Sequence, residues 1–198
     1  EVDSGNILID GCDTRKIGLT KLRSNIAVIP QDPVLFSGTI RSNLDPFHQF
    51  GDEELSSVLT RVGLFTQSTP SSSVASLSSL ALSQVQSLHD PVKEGGSNFS
   101  VGQRQLLVIA RALLSGASIV IMDEATAAVD ADTDARIQKV MRSEFADATC
   151  ITVAHRINTI MDSDFILVMD NGQAAEFDTP KKLLAKGGMF RGLVQAAS

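Results

Sequence analysis

No basic run in this 198-residue sequence exceeds two residues, and no apolar run exceeds five. The first absence, with a formal net charge of −6, excludes the basic surface that nucleic acids or anionic lipids require. The second excludes a bilayer-spanning helix, which needs roughly 20 apolar residues. Cysteine is scarce as well. Cys12 and Cys150 stand far apart and match neither metal-ligand nor redox spacing, so they are expected to be buried hydrophobes of a reducing compartment. An initiator methionine and a charged-then-apolar targeting pattern are both missing from Glu1-Val-Asp-Ser-Gly, which leads to the expectation that the chain opens in mid-domain. Finally, there is no Gly-Lys dipeptide, and therefore no Gly-x-x-x-x-Gly-Lys phosphate loop.

What is present can fill a core. Apolar residues make up 43% of the chain, enough for one domain with a lobe. Short β-rich runs recur at Ile7–Ile9, Ile26–Ile29, Ile119–Met122, Cys150–Val153 and Phe165–Met169. The last four are nearly continuous apolar stretches, the pattern of strands buried on both faces of a largely parallel sheet. Between them lie helical patterns. Gln103–Leu114 repeats apolar residues at steps of three and four, a second helix is expected from about Asp134 to Phe145, and a third over Asp52–Val62. These features predict an α/β fold with a helical lobe inserted into the sheet domain. Nine serines between Gln67 and Leu88 mark a segment too polar to bury much surface, expected to be a mobile insert.

Two strings carry chemistry. In Ser118-Ile-Val-Ile-Met-Asp123-Glu124 a hydrophobic strand ends in adjacent carboxylates, at the strand end where open α/β sheets bind ligands. There Asp123 suits a hard cation such as Mg²⁺ and Glu124 suits a water. The string taken alone is equally a buried strand followed by an acidic turn. The second string, Asn98-Phe-Ser100-Val101-Gly102-Gln103-Arg104-Gln105, runs into the amphipathic helix. Ser100 and Gln103 form a capping box, which by itself means only a well-started helix. The same geometry also lets backbone N–H groups and the helix dipole receive a phosphate.

The order of these strings decides between the readings. Gly95-Gly96, Ser-x-Gly-Gln, a helix and then an Asp-Glu strand resembles the signature region of ATP-binding cassette (ABC) ATPases. With that resemblance named, Pro30-Gln31-Asp32 resembles the Q-loop, Asp123-Glu124 the Walker B pair, Ala127-Ala-Val-Asp130 the D-loop and Ala154-His155-Arg156 the switch histidine. Pro33–Gly38, Asn43–Phe47, Val101 and the string Asp123–Asp130 resemble the second nucleotide-binding domain of C-subfamily, multidrug-resistance-associated exporters. The likeness spans nearly the whole chain apart from the serine-rich stretch. Phe99 departs from it, standing where many ABC proteins have leucine.

The resemblance implies a P-loop NTPase-like fold. Residues 1–48 would be sheet core with the Q-loop, 49–115 a helical lobe with the insert at 66–88 and the signature, and 116–198 sheet core again. It implies ATP and Mg²⁺ as cofactors. Asp123, with Gln31, would hold the metal. Glu124 would polarise the hydrolytic water, and His155 and Gln31 would meet the γ-phosphate and water. Ser100, Val101, Gly102, Gln103 and Asp130 would bind nucleotide, the signature residues facing the ATP of a second nucleotide-binding domain closed head to tail. Other partners would be the transmembrane domains of the same transporter, at the cytoplasmic face of a membrane, and not nucleic acid. In the family the phosphate loop and the adenine-stacking aromatic lie upstream of the position matching Glu1, so the chain is expected to begin after them. Two rivals stand beside an exporter ATPase transporting organic anions or xenobiotics. A soluble ABC ATPase of the DNA-repair kind carries long coiled coils between Q-loop and signature, where this chain has only residues 32–99. A non-hydrolysing module would offer its signature surface to a partner.

Overall fold

The computed structural model describes residues 4–65, 85–123, 129–154 and 156–196. The chain divides into two units, 1–151 and 152–198. The serine-rich insert falls mostly outside the described residues. The division at 48 and 115 into sheet core and helical lobe remains a proposal.

The first unit opens with strands β1 (Leu8–Ile9) and β2 (Cys12–Asp13), an antiparallel ladder whose turn, Asp10-Gly11, has positive φ at both residues. Helix α1 (Leu19–Ser24) leads to β3 (Ile26–Ile29), and β4 (Gly38–Thr39) to α2 (Ile40–Leu44) and α3 (Asp52–Arg61). Then come β5 (Pro91–Val92), α4 (Val101–Leu114), β6 (Ile119–Asp123), α5 (Ala131–Glu144) and β7 (Thr149–Val153). Strands β3, β6 and β7 form one sheet in that order, and β3 pairs with β6 in parallel, Ile26 to Ile119 through Ile29 to Met122. The fold is therefore mixed α/β with parallel pairing, as the apolar runs predict.

Helix α4 organises this unit. Leu106, Leu107, Ile109 and Ala110 have no exposed surface, and the helix packs against α2, α3, α5 and β3. A helix apolar on most of its circumference must be enclosed in this way. Polar groups fasten it too. The buried Asn43 of α2 exchanges hydrogen bonds with the backbone of Phe36, and Arg111 of α4 donates to the carbonyls of Asn43 and Val34 and to Asn43 Oδ1. Burial of its guanidinium pushes the Arg111 pKa down.

The second unit contains α6 (Ile157–Ile160), β8 (Ile166–Asp170), β9 (Gln173–Asp178), α7 (Pro180–Lys186) and α8 (Met189–Ala196). Its own small core joins Ile166, Val168, Leu183 and Phe190. Glu176, nearly buried on β9, accepts from the Phe190 amide at the start of α8.

Four expectations are corrected, the first being that Cys150–Val153 is buried on both faces, since every residue of β7 is exposed. The run Phe165–Met169 is not a strand buried on both faces of a parallel sheet. It forms an antiparallel hairpin with β9 around Asn171-Gly172, again with two positive φ values, and Leu167 and Met169 lie exposed on its open side. Cys12 and Cys150 are exposed free thiols, one on a two-residue ladder and the other on β7. The latter strand ends the sheet order, and all its residues are exposed. Helix α5 begins at Ala131, three residues before the expected start, because Asp130 caps it.

Candidate functional site

The register of β3 and β6 places the first two candidate residues. Ile29 faces Met122 across the parallel pair, so Gln31, two residues on, and Asp123, the next residue, leave the sheet at the same edge. Both are exposed. Carboxyl ends of parallel strands form the crevice where open α/β sheets bind ligands. No described residue forms a hydrogen bond or ion pair with the Asp123 carboxylate. An uncommitted oxygen donor at a strand end fits a hard divalent cation such as Mg²⁺. Glu124 and His155 lie outside the described residues.

Residues 30–36 are fixed from beneath. Pro33 and Leu35 are buried between exposed neighbours, so the strand-like alternation anchors the segment and leaves Gln31 and Asp32 outside. Leu35 packs against Gly96, whose φ of +69° and lack of a Cβ are both needed, since a Cβ there would stand 2.7 Å from Leu35 Cδ1. The approach to α4 thus rests on the segment that carries Gln31.

At the start of α4 the capping box is complete. Ser100 Oγ accepts from the Gln103 amide at 3.2 Å, and Gln103 Oε1 accepts from the Ser100 amide at 2.8 Å. Ser100 is exposed and Val101 half-buried, while Gly102 and Gln103 are buried. Of the four signature positions, then, Ser100 presents its hydroxyl most openly at a helix N-terminus suited to an anion. Phe99, the departure from leucine, is buried in the core and contacts no open surface. Gly102 packs where a Cβ would come within 2.3 Å of Thr133 Cγ2 and 3.5 Å of Val129 Cγ1. That contact joins the N-terminus of α4 to the N-terminus of α5. Asp130, at the same junction, accepts from the Thr133 amide at 3.0 Å, and this backbone hydrogen bond holds its carboxyl below the usual range. The structure therefore places Gln31 and Asp123 just beyond the same ends of two paired strands, and sets the signature residues beside the helix start that Asp130 caps.

The sequence profile of the family described as ABC transporter matches residues 1–127. The chain belongs to the ABC transporter family. Within it the likeness to the C-subfamily runs the length of the chain. ATP-binding cassette sub-family C member 3 of Rattus norvegicus is 47% identical over 197 residues, covering 100% of this chain and 12% of the rat protein. ABC transporter C family member 12 of Dictyostelium discoideum is 49% identical over 98% of this chain and 14% of its own length. A pleiotropic ABC efflux transporter of multiple drugs from Candida glabrata is 46% identical over 93% of this chain and 11% of its own. The chain thus spans about an eighth of the curated relatives it matches. Among solved structures, a bacterial Atm1-family ABC exporter with ATP bound superposes with a TM-score of 0.82 at 32% identity, over 99% of this chain and 32% of that one.

Three residues given no role in the sequence analysis fasten the candidate site from within the fold. Gln105, Arg111 and Asn43 tie α4 to the Gln31 segment. The signal for two of them is present in the sequence, since polar side chains inside an apolar helix face need buried partners.

Proposed function

We propose that this chain is the ATP-binding and ATP-hydrolysing domain of a membrane exporter of the multidrug-resistance-associated kind, acting on organic anions or xenobiotics. The observation that carries the reading is the β3–β6 register, which delivers Gln31 and Asp123 to one sheet edge in a chain that is 46–49% identical to C-subfamily transporters.

In this reading Asp123, with Gln31, holds Mg²⁺, and Glu124 orients and polarises the attacking water. Gln31 and His155 meet the γ-phosphate and water, and Asp130 lies beside nucleotide. Mg²⁺, when bound, supplies positive charge to phosphate oxygens. Phosphoryl transfer asks the protein mainly for positioning and electrostatics, which exposed polar groups on rigid strand ends and helix caps can provide. Ser100 to Gln103 face the ATP held by a second nucleotide-binding domain. The helix end supports this in part: the Ser100 hydroxyl is open, whereas Gln103 acts through the cap that shapes the helix end. The domain would work at the cytoplasmic face of a membrane, joined to transmembrane domains. Among the described residues no helix is long and apolar enough to cross a membrane.

Glu124→Gln in the full-length protein tests the assignment. ATP binding is expected to persist and steady-state turnover to fall by at least about a hundredfold, the scale set by losing a positioned general base. Undiminished hydrolysis would remove Glu124 from the mechanism. One observation favours a second reading. The 198 residues hold no Gly-Lys dipeptide, so this stretch by itself would offer a signature surface without hydrolysing ATP. Mg-ATP binding by the isolated 198 residues would support hydrolytic competence, and its absence the second reading of this stretch.

A further inference from the structure

Gln105 lies inside α4, five residues after the Ser100 cap, with no exposed surface. Its Nε2 donates to the carbonyl of Pro30 at 3.4 Å, and its Oε1 has no partner among the described residues. The reverse amide orientation would set Oε1 against the Pro30 carbonyl oxygen, so that carbonyl fixes which end donates. A buried acceptor without a partner destabilises a fold, and an unbranched apolar side chain of similar volume would occupy the space without that penalty. Packing therefore does not account for an amide here.

The place where its bond lands does. Pro30 immediately precedes Gln31. Further along the same helix, Arg111 donates to the carbonyl of Val34 at 2.8 Å. Helix α4 thus grips the backbone on both sides of residues 31–33. The two grips differ in kind. Arg111 makes three hydrogen bonds to Val34 and Asn43, which satisfy several donors of one guanidinium. Gln105 makes one long bond and keeps an unused acceptor on the same amide.

We propose that Gln105 is a positioning residue for Gln31. Its amide holds the turn at residues 30–32 in one setting through Pro30, and its unpaired Oε1 is the acceptor for a second setting. Because Gln105 and the signature cap Ser100 belong to one rigid helix, a displacement at the signature is carried to Gln31 through this amide. The inference rests on the reading of Gln31 as a group that meets metal and water.

The test compares Gln105→Met and Gln31→Ala in the full-length protein. Three quantities are read: the unfolding midpoint, hydrogen exchange at the amides of Gln31 and Asp32, and ATP turnover as a function of ATP and Mg²⁺. For Gln105→Met the midpoint should stay at or above wild type and exchange at residues 31–32 should rise about tenfold, the scale of one lost hydrogen bond. Turnover at saturating ATP should fall roughly tenfold with KM within about twofold, and half-saturation by Mg²⁺ should move to higher concentration. Unchanged exchange at 31–32, or a lowered midpoint with unchanged turnover, overturns the proposal and leaves Gln105 a packing residue. If Gln31→Ala is silent in turnover while Gln105→Met still raises exchange, the hold on the turn is upheld and the reading of Gln31 fails.

Discussion

Gly102→Ala places one methyl group where the structure has no room for it. The new Cβ would stand 2.3 Å from Thr133 Cγ2 and 3.5 Å from Val129 Cγ1, against an ordinary carbon contact of about 3.5–4 Å. Thr133 is 4% exposed and cannot swing into solvent, so α4 and α5 must separate by roughly an ångström or the threonine must leave its rotamer. Overpacking of this kind costs about 1–3 kcal/mol. Alanine in place of glycine in a helix returns at most about 1 kcal/mol. The net expectation is a loss of about 1–2 kcal/mol, or roughly 2–8 °C in the unfolding midpoint of a chain this size. Thr133→Ser removes the offending Cγ2 and keeps the hydroxyl, at a cost of about 1 kcal/mol for a buried methyl. The double variant should therefore be no less stable than Gly102→Ala alone, giving a favourable coupling of about 1 kcal/mol or more in the mutant cycle. Thermal or urea unfolding of the four proteins measures it. A wild-type midpoint for Gly102→Ala, or additivity within about 0.5 kcal/mol, would refute the claim that this glycine exists to let the two helix ends meet.

Asn43→Ala should destabilise by about 3 kcal/mol, since it strands the Phe36 amide and leaves the half-buried Arg111 guanidinium without one acceptor; urea unfolding checks it, and a loss below about 1 kcal/mol would mean that water replaces the amide. Asp130 caps α5 with a carboxyl whose pKa is lowered by the Thr133 amide, so its contribution is complete above the unfolded value near 3.8 and is lost as pH falls through the lower folded value. Asp130→Asn keeps an acceptor that does not titrate, and the unfolding midpoint of that variant should fall less steeply than wild type between about pH 5 and about pH 2.

How far the sequence could be read depended on the length over which each signal extends. Helix α4 announced itself through a capping box followed by three turns of apolar periodicity, and the structure has that box and that helix within two residues of the expected start. Strands β3 and β6 were visible as uninterrupted apolar runs, and one face of each is buried, through Ala27 and Ile29 on β3 and Val120 and Met122 on β6, while Val28 on the other face of β3 is exposed. Two-residue strands such as β4 and β5 have no periodicity to read, and they exist because α2 and the chain before α4 bring Gly38–Thr39 against Pro91–Val92. The β8–β9 hairpin was hidden for a different reason. Gln173–Asp178 alternates poorly, and the informative dipeptide was its turn, Asn171-Gly172, the strongest short-range hairpin signal available. Helix α5 starts earlier than its apolar periodicity suggests because Asp130, a motif residue beside nucleotide in the family, is also its cap.

The double role of Asp130 bears on how such a site is built. Asp130, Ser100 and Gly102 are motif residues, and each also does something local for the fold. Asp130 caps α5, Ser100 caps α4, and Gly102 allows the two caps to touch. Gln105 shows the converse, a residue with no role in the sequence reading whose buried amide reaches the residue before Gln31. If motif roles and structural roles were separate, a capping variant would change stability and leave chemistry alone. In the proposed function both depend on the same few contacts around the N-terminus of α4, so substitutions at Gly102 or Thr133 should shift turnover along with the unfolding midpoint. A variant that moved either quantity without the other would show that the helix junction and the candidate site are independent.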